Sequence, residues 1–119
     1  MVLHTWHSVA ARMPPYLPGA ELATLGAAKE IDRILDEEAH AIAHEAADHA
    51  TECGLDGEAF GLRTERPVWR TVIEIADERD AAAIIVGSRG LTGLSALGSV
   101  SHAVVQHARR PVLLVLPQE

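Results

Sequence analysis

Two uninterrupted apolar runs, Ala81–Val86 and Val112–Leu116, set the tightest limit on what this chain folds into. Both have the length of a strand, and both fall well short of the ~20 residues that a membrane helix needs. A strand with one wet face alternates apolar and polar side chains, whereas a continuous run calls for cover on both faces. Parallel sheets are covered on both faces, and their strands are joined by crossover helices. Residues 82–86 and 112–116 therefore read as buried strands of such a sheet.

The rest of the chain supplies the helices that this reading requires. The opening run MVLHTWHSV, with Val2, Leu3, Thr5 and Val9, is rich in strand formers. Pro14, Pro15, Pro18 and Gly19 then impose a loop. A long helix is expected over roughly 25–53, stopped by Gly54 as a left-handed cap. At 100° per residue, Ile31, Leu35, Ala39, Ile42, Ala46 and Cys53 form its apolar stripe, with Glu37, His40, His44 and Asp48 turned away. Residues 58–64 read as a short strand. Pro67 suits the first turn of a second helix that buries Val68, Val72, Ile75 and Ala76. A last helix starts near Ser99, is closed by Arg109 and Arg110 at its negative end, and is broken by Pro111. The order strand, helix, strand, helix, strand, helix, strand gives one α/β domain over residues 1–119, an open parallel sheet with helices on both faces.

Composition narrows the function. A net charge of −7 in 119 residues, with Lys29 the only lysine, argues against a general nucleic-acid binder. It leaves room for an anion site built from backbone amides. Cys53 is the one cysteine, so no internal disulfide forms. With no signal sequence at the start and no membrane span, a cytoplasmic protein is expected.

The segment IIVGSRGLTGLSALGSVSHAVVQHARRPVLLV carries the chemistry. A buried strand runs into Gly87, and open α/β sheets bind ligands at the carboxyl ends of their strands. Gly87 and Gly90 let backbone approach a ligand and adopt positive φ. Gly98 and Ser99 open a helix whose unpaired amides and dipole favour an anion, and the Ser99 hydroxyl can donate to a phosphate oxygen. The same residues serve equally as a turn and an N-cap with no ligand at all. Gly93-x4-Gly98-Ser99 lacks the lysine of a P-loop, and no G-x-G-x-x-G is present.

The strand ending in VGSRG, followed by LGSVSHAVVQHARRPVLLV, resembles the carboxyl-terminal third of universal stress proteins. The AADERDAAAIIVGSRG context and the VLHTW strand are similar to that family as well, so the likeness covers nearly the whole chain. The resemblance implies a Rossmann-like fold of the adenine nucleotide alpha hydrolase type and a stress-response regulator that binds ATP, with or without Mg²⁺. It matches the pattern G-x2-G-x9-G-S/T to Gly87, Gly90, Gly98 and Ser99 as phosphate contacts. It also places Thr5 and Val86 near adenine and ribose, and gives Val100 an amide contact and Arg89 an extra phosphate contact. It implies a homodimer formed through the edge strand Val112–Leu116, and at most slow hydrolysis. No general base or Mg²⁺-binding carboxylate stands in the motif.

Two departures from the family stand out. Seven residues, not nine, separate Gly90 from Gly98, which makes a tighter loop. The chain also begins at what the family would count as its second strand. The family's first strand lies mid-sheet, between its second and fourth, and removing it unpairs two rows of backbone groups at about 1–3 kcal/mol for each unsatisfied group. Direct pairing of the first and third strands here, or exchange with another copy, is expected to close the gap. The alternative to a nucleotide protein is a homodimeric interaction module of the same fold.

Other candidates are weaker. His40, His44 and Asp48 have metal-ligand spacing, but H-E-A-A-D-H misses the metalloprotease pattern by one position, and an exposed polar face is expected. Cys53 reads as a small buried hydrophobe, and Trp6 and Trp69 as core. His102 reads as a packed helix residue. His4, His7 and His107 have no nucleophile motif beside them.

Overall fold

The computed structural model describes residues 1–12, 21–87 and 98–116. The loop carrying Pro14, Pro15, Pro18 and Gly19 lies outside them. The chain divides into two compact units, Met1–Glu65 and Arg66–Glu119.

In the first unit, strand β1 (Val2–Trp6) leads through a 3-10 turn (Ala10–Arg12) to the long helix α1 (Glu21–Glu52) and then strand β2 (Ala59–Arg63). The two strands pair in parallel, from Val2 opposite Ala59 to Trp6 opposite Arg63. Helix α1 packs on this ladder. Its buried stripe is Ala28, Asp32, Ala39, Ala43 and Ala47. This corrects the expected stripe: Ala39 is on it, whereas Ile31, Ile42, Ala46 and Cys53 are exposed.

The physical reason is the closeness of the packing. A Cβ on Gly61 of β2 would stand 2.9 Å from the His40 amide nitrogen and 3.1 Å from the Ala39 carbonyl carbon. One on Gly57 would overlap the Ala47 carbonyl. Glycine on the strand and alanine on the helix let the two backbones touch, and isoleucine on that stripe would hold them apart. Periodicity in hydrophobicity marked the large side chains; space selected the small ones.

Gly54 ends α1 as expected, at φ +87°. Its N–H donates to the Thr51 carbonyl and the Leu55 N–H reaches back to the Ala50 carbonyl, both at 3.0 Å, the paired bonds of a Schellman cap.

A buried polar knot fixes the corner after β1. The Ser8 hydroxyl accepts the Ala11 N–H at 3.0 Å and donates to Asp32 Oδ2 at 2.5 Å, while Asp32 Oδ1 accepts the Val9 N–H at 2.6 Å. The Ser8 hydrogen bond, with help from the Val9 and Ala10 amides, holds the Asp32 carboxyl below its usual range against the opposing effect of burial.

The second unit contains helix α2 (Val68–Glu78), strand β3 (Ile84–Gly87), helix α3 (Ser99–His107) and strand β4 (Val112–Val115). Pro67 is the N-cap of α2, one residue outside the expected first turn. Strands β3 and β4 pair in parallel, from Ile84 opposite Val112 to Gly87 opposite Val115. Ala76, Ile84 and Val104 form the core, joined by Trp69, Val72, Ile73, Val86, Val100 and Val112 at its margin. Both helices thus pack on one face of the ladder.

Within this unit the two helices cover one face only: Ile85 is 67% exposed, Leu113 58% and Val115 50%, because period-2 alternation turns them away from α2 and α3. Each ladder stops at two strands.

Candidate functional site

Strand β3 ends at Gly87 and α3 begins at its N-cap, Gly98, with φ −62° and ψ 158°. Gly98 is buried, and among the described residues no side chain caps the helix. The first amides of any helix lack intrahelical acceptors, so those of Ser99 and Val100 have none within α3. The Val100 side chain packs on the core and holds its amide in place, and the His102 N–H closes the first turn onto the Gly98 carbonyl at 2.9 Å. Serine at 99 does not act as the cap; Gly98 does, leaving the exposed Ser99 free of that duty.

Gly87 is exposed, and no described atom lies within 4 Å of where its Cβ would stand. The expected positive φ is not adopted there; among the described glycines only Gly54 has one. What Gly87 contributes is open space at the strand end.

Sequence reasoning missed Ser101. It is 4% exposed, and its hydroxyl donates to the Gly87 carbonyl at 2.6 Å, tying α3 to the end of β3. The signal was present: a serine three residues before Val104 shares the helix face that packs on the core, and a buried hydroxyl there requires a partner.

The charge is local. The chain carries −7 overall, yet residues 87–111 contain no Asp or Glu and include Arg89, Arg109 and Arg110. Arg110 is engaged elsewhere, donating to Asp77 and Asp80 at 2.9 and 3.1 Å and to the Ala81 carbonyl at 2.6 Å.

Of the residues expected at the site, Val86, Gly87, Gly98, Ser99 and Val100 belong to this one unit. Val86 lines the core. Thr5 lies in β1 of the other unit, half-buried and opposite Leu62. Arg89 and Gly90 lie outside the described residues.

The remaining candidates resolve individually. His40, His44 and Asp48 are exposed, and His40 Nδ1 donates to the Asp36 carbonyl at 2.8 Å. No group of three potential metal ligands forms among the described residues. His102 is exposed rather than packed. Trp69 lines the core and stacks on His107 at 4.6 Å, and half-buried Trp6 donates to Asp36 at 3.2 Å. No helix among the described residues is long and apolar enough to cross a membrane.

The profile of the universal stress protein family matches residues 1–115. The chain belongs to that family. Universal stress protein YxiE of Bacillus subtilis (strain 168) is 36% identical over 88 residues, which make up 72% of this chain and 58% of that protein. The match therefore spans less than two thirds of the relative's length. The solved structure of hypothetical protein MJ0577, the subject of a structure-based assignment of biochemical function, superposes with a TM-score of 0.69. It covers 98% of this chain and 74% of its own at 22% identity. A universal stress protein crystallised in complex with cAMP superposes with a TM-score of 0.52 over 67% of this chain and 64% of its own, at 28% identity. With its helices and parallel strands, this universal stress protein has an α/β, Rossmann-like fold.

Proposed function

We propose that this universal stress protein is a nucleotide-responsive regulator that holds the phosphates of an adenine nucleotide, ATP by preference, between Gly87 and the start of α3. The observation that carries this reading is the N-terminus of α3, which no side chain caps among the described residues and which Ser101 ties to the end of a parallel strand. Amide donors without a capping side chain suit an anion, and an acid-free segment adds no repulsion. The cAMP complex of a relative lends support, since a cyclic nucleotide presents the same base, ribose and phosphate chemistry.

In this reading the amides of Ser99 and Val100 and the Ser99 hydroxyl bind phosphate oxygens, and Gly87 leaves room for them. By resemblance to the family, Arg89 and Gly90 would add phosphate contacts and Val86 would lie near the base and ribose. Because residues 87–111 offer no carboxylate, any Mg²⁺ would be held by the phosphates. With no general base in the motif, the role is binding, with hydrolysis slow at most. Two copies would associate through the edge strand β4, and a cytoplasmic location fits a chain of this composition.

Calorimetric titration with Mg-ATP and with cAMP, alongside the oligomeric state, tests the reading. Micromolar binding is expected; absence of heat up to millimolar nucleotide overturns it. In that case the exposed Ile85, Leu113 and Val115 favour the second reading, a dimeric interaction module of the same fold.

A further inference from the structure

Ser101 is a buried hydroxyl to which the phosphate-binding reading gives no ligand contact. A serine inside a helix commonly turns its hydroxyl back to the carbonyl one turn earlier. Here it donates across to the carbonyl of Gly87, the last residue of β3. That bond joins the two ends of the segment between Gly87 and Gly98: one end is fixed by the ladder pairing of Gly87 with Val115, the other by the first turn of α3.

The amides that would receive phosphate, those of Ser99 and Val100, belong to that same turn. The Ser101 hydroxyl therefore ties that turn directly to the strand end. On the core side, Val100 and Val104 hold α3 against β3 by apolar contact, which resists separation but permits sliding. A 2.6 Å hydrogen bond with a fixed acceptor resists sliding as well.

We infer that Ser101 is a positioning residue for the nucleotide site. Its hydroxyl sets the register of the α3 amides against the end of β3, and so fixes the width of the cradle without touching the ligand. The inference rests on the nucleotide-binding reading above. It assigns to the hydroxyl a role in affinity beyond its contribution to stability.

The test uses the full chain, titrated with Mg-ATP and cAMP at a temperature where every variant is folded, with a thermal unfolding curve for each. S101A is expected to bind about tenfold or more weakly, equivalent to about 1.4 kcal/mol, while S101T, which keeps the donor, stays within about threefold of the parent. The rise in unfolding temperature that nucleotide gives the parent should shrink in S101A and persist in S101T. An S101A protein that melts earlier yet binds as tightly as the parent makes the hydroxyl purely structural and overturns the inference. Should S101A fail to fold, S101C decides, since its thiol is a weak donor of similar size: undiminished affinity overturns the inference, and a loss restored in S101T supports it. If the parent itself binds no nucleotide, the underlying reading fails with it, an outcome distinct from parental binding that is indifferent to Ser101.

Discussion

Replacing Gly61 with alanine should destabilise the first unit, while the same replacement at Gly26 should stabilise it. At Gly61 the new methyl would sit 2.9 Å from both the amide nitrogen and Nδ1 of His40, and 3.1 Å from the Ala39 carbonyl carbon. Ordinary contacts of this kind lie near 3.5–4.0 Å. Two of the three neighbours are helix backbone, so relief requires α1 to withdraw from β2. Withdrawal would loosen Ala39 and Ala43, which are 1% and 0% exposed. Forcing a methylene-sized group into a packed interface costs about 1–3 kcal/mol. Gly26 lies inside α1, has nothing within 4 Å of its would-be Cβ and has no left-handed φ. Alanine there gains about 0.5–1 kcal/mol of helix propensity. Urea unfolding followed by far-UV circular dichroism, dominated by α1, reads both. With a slope of about 2 kcal/mol per molar, the G61A midpoint should fall by roughly 0.5–1.5 M and the G26A midpoint should rise by a few tenths. A G61A midpoint equal to that of the parent, or shifts of the same sign in both variants, would refute the close seating of α1 on β2.

Three further outcomes follow from the same packing. The folded-state pKa of Asp32 lies below its unfolded value, so its contribution to stability is present above the unfolded pKa of about 3.9 and is lost as pH falls through the folded one. D32N should therefore be less stable than the parent at neutral pH, with the gap closing below about pH 4 in a series of melts; a gap independent of pH would rule out the carboxylate's role. Asp80 occupies a left-handed position, φ +49°, closing α2 through the Ala81 N–H to the Ala76 carbonyl at 2.9 Å. D80V should cost about 1–2 kcal/mol and D80G nothing or a small gain, since the Asp80 carboxylate is 96% exposed and its pairing with Arg110 contributes little. Cys53, exposed and free, should react with one equivalent of a thiol reagent in the folded protein as fast as in urea. Strong protection in the folded protein would show that the end of α1 is covered.

Some of the site was legible because the physics involved is local. Gly98-Ser99 after a glycine-rich stretch marks a helix start by residue type alone, and α3 begins there. Gly54 likewise marks a helix end through its freedom to take positive φ. Ser101 was not legible as a site residue, because its partner is fourteen positions away and depends on how α3 lies against β3. The pairing of Ser8 with Asp32 was hidden for the same reason, being twenty-four positions apart.

By itself, the sequence determined the kinds of elements, their order and their ends, since periodicity, capping and turn chemistry act over a few residues. It also carried the resemblance to the family, through the strand ending in VGSRG and the segment LGSVSHAVVQHARRPVLLV that follows it. Only the tertiary structure decided which face of each element is buried. Helix α1 seats its alanines and leaves Ile31 and Ile42 exposed, because Gly57 and Gly61 leave no room for larger side chains. Strands β3 and β4 read as doubly buried, yet within their unit Ile85 and Leu113 point away from the helices, because α2 and α3 lie together on the other face. Apolar composition records how much surface a residue would gain by burial; only the arrangement of neighbours determines whether anything is there to bury it against.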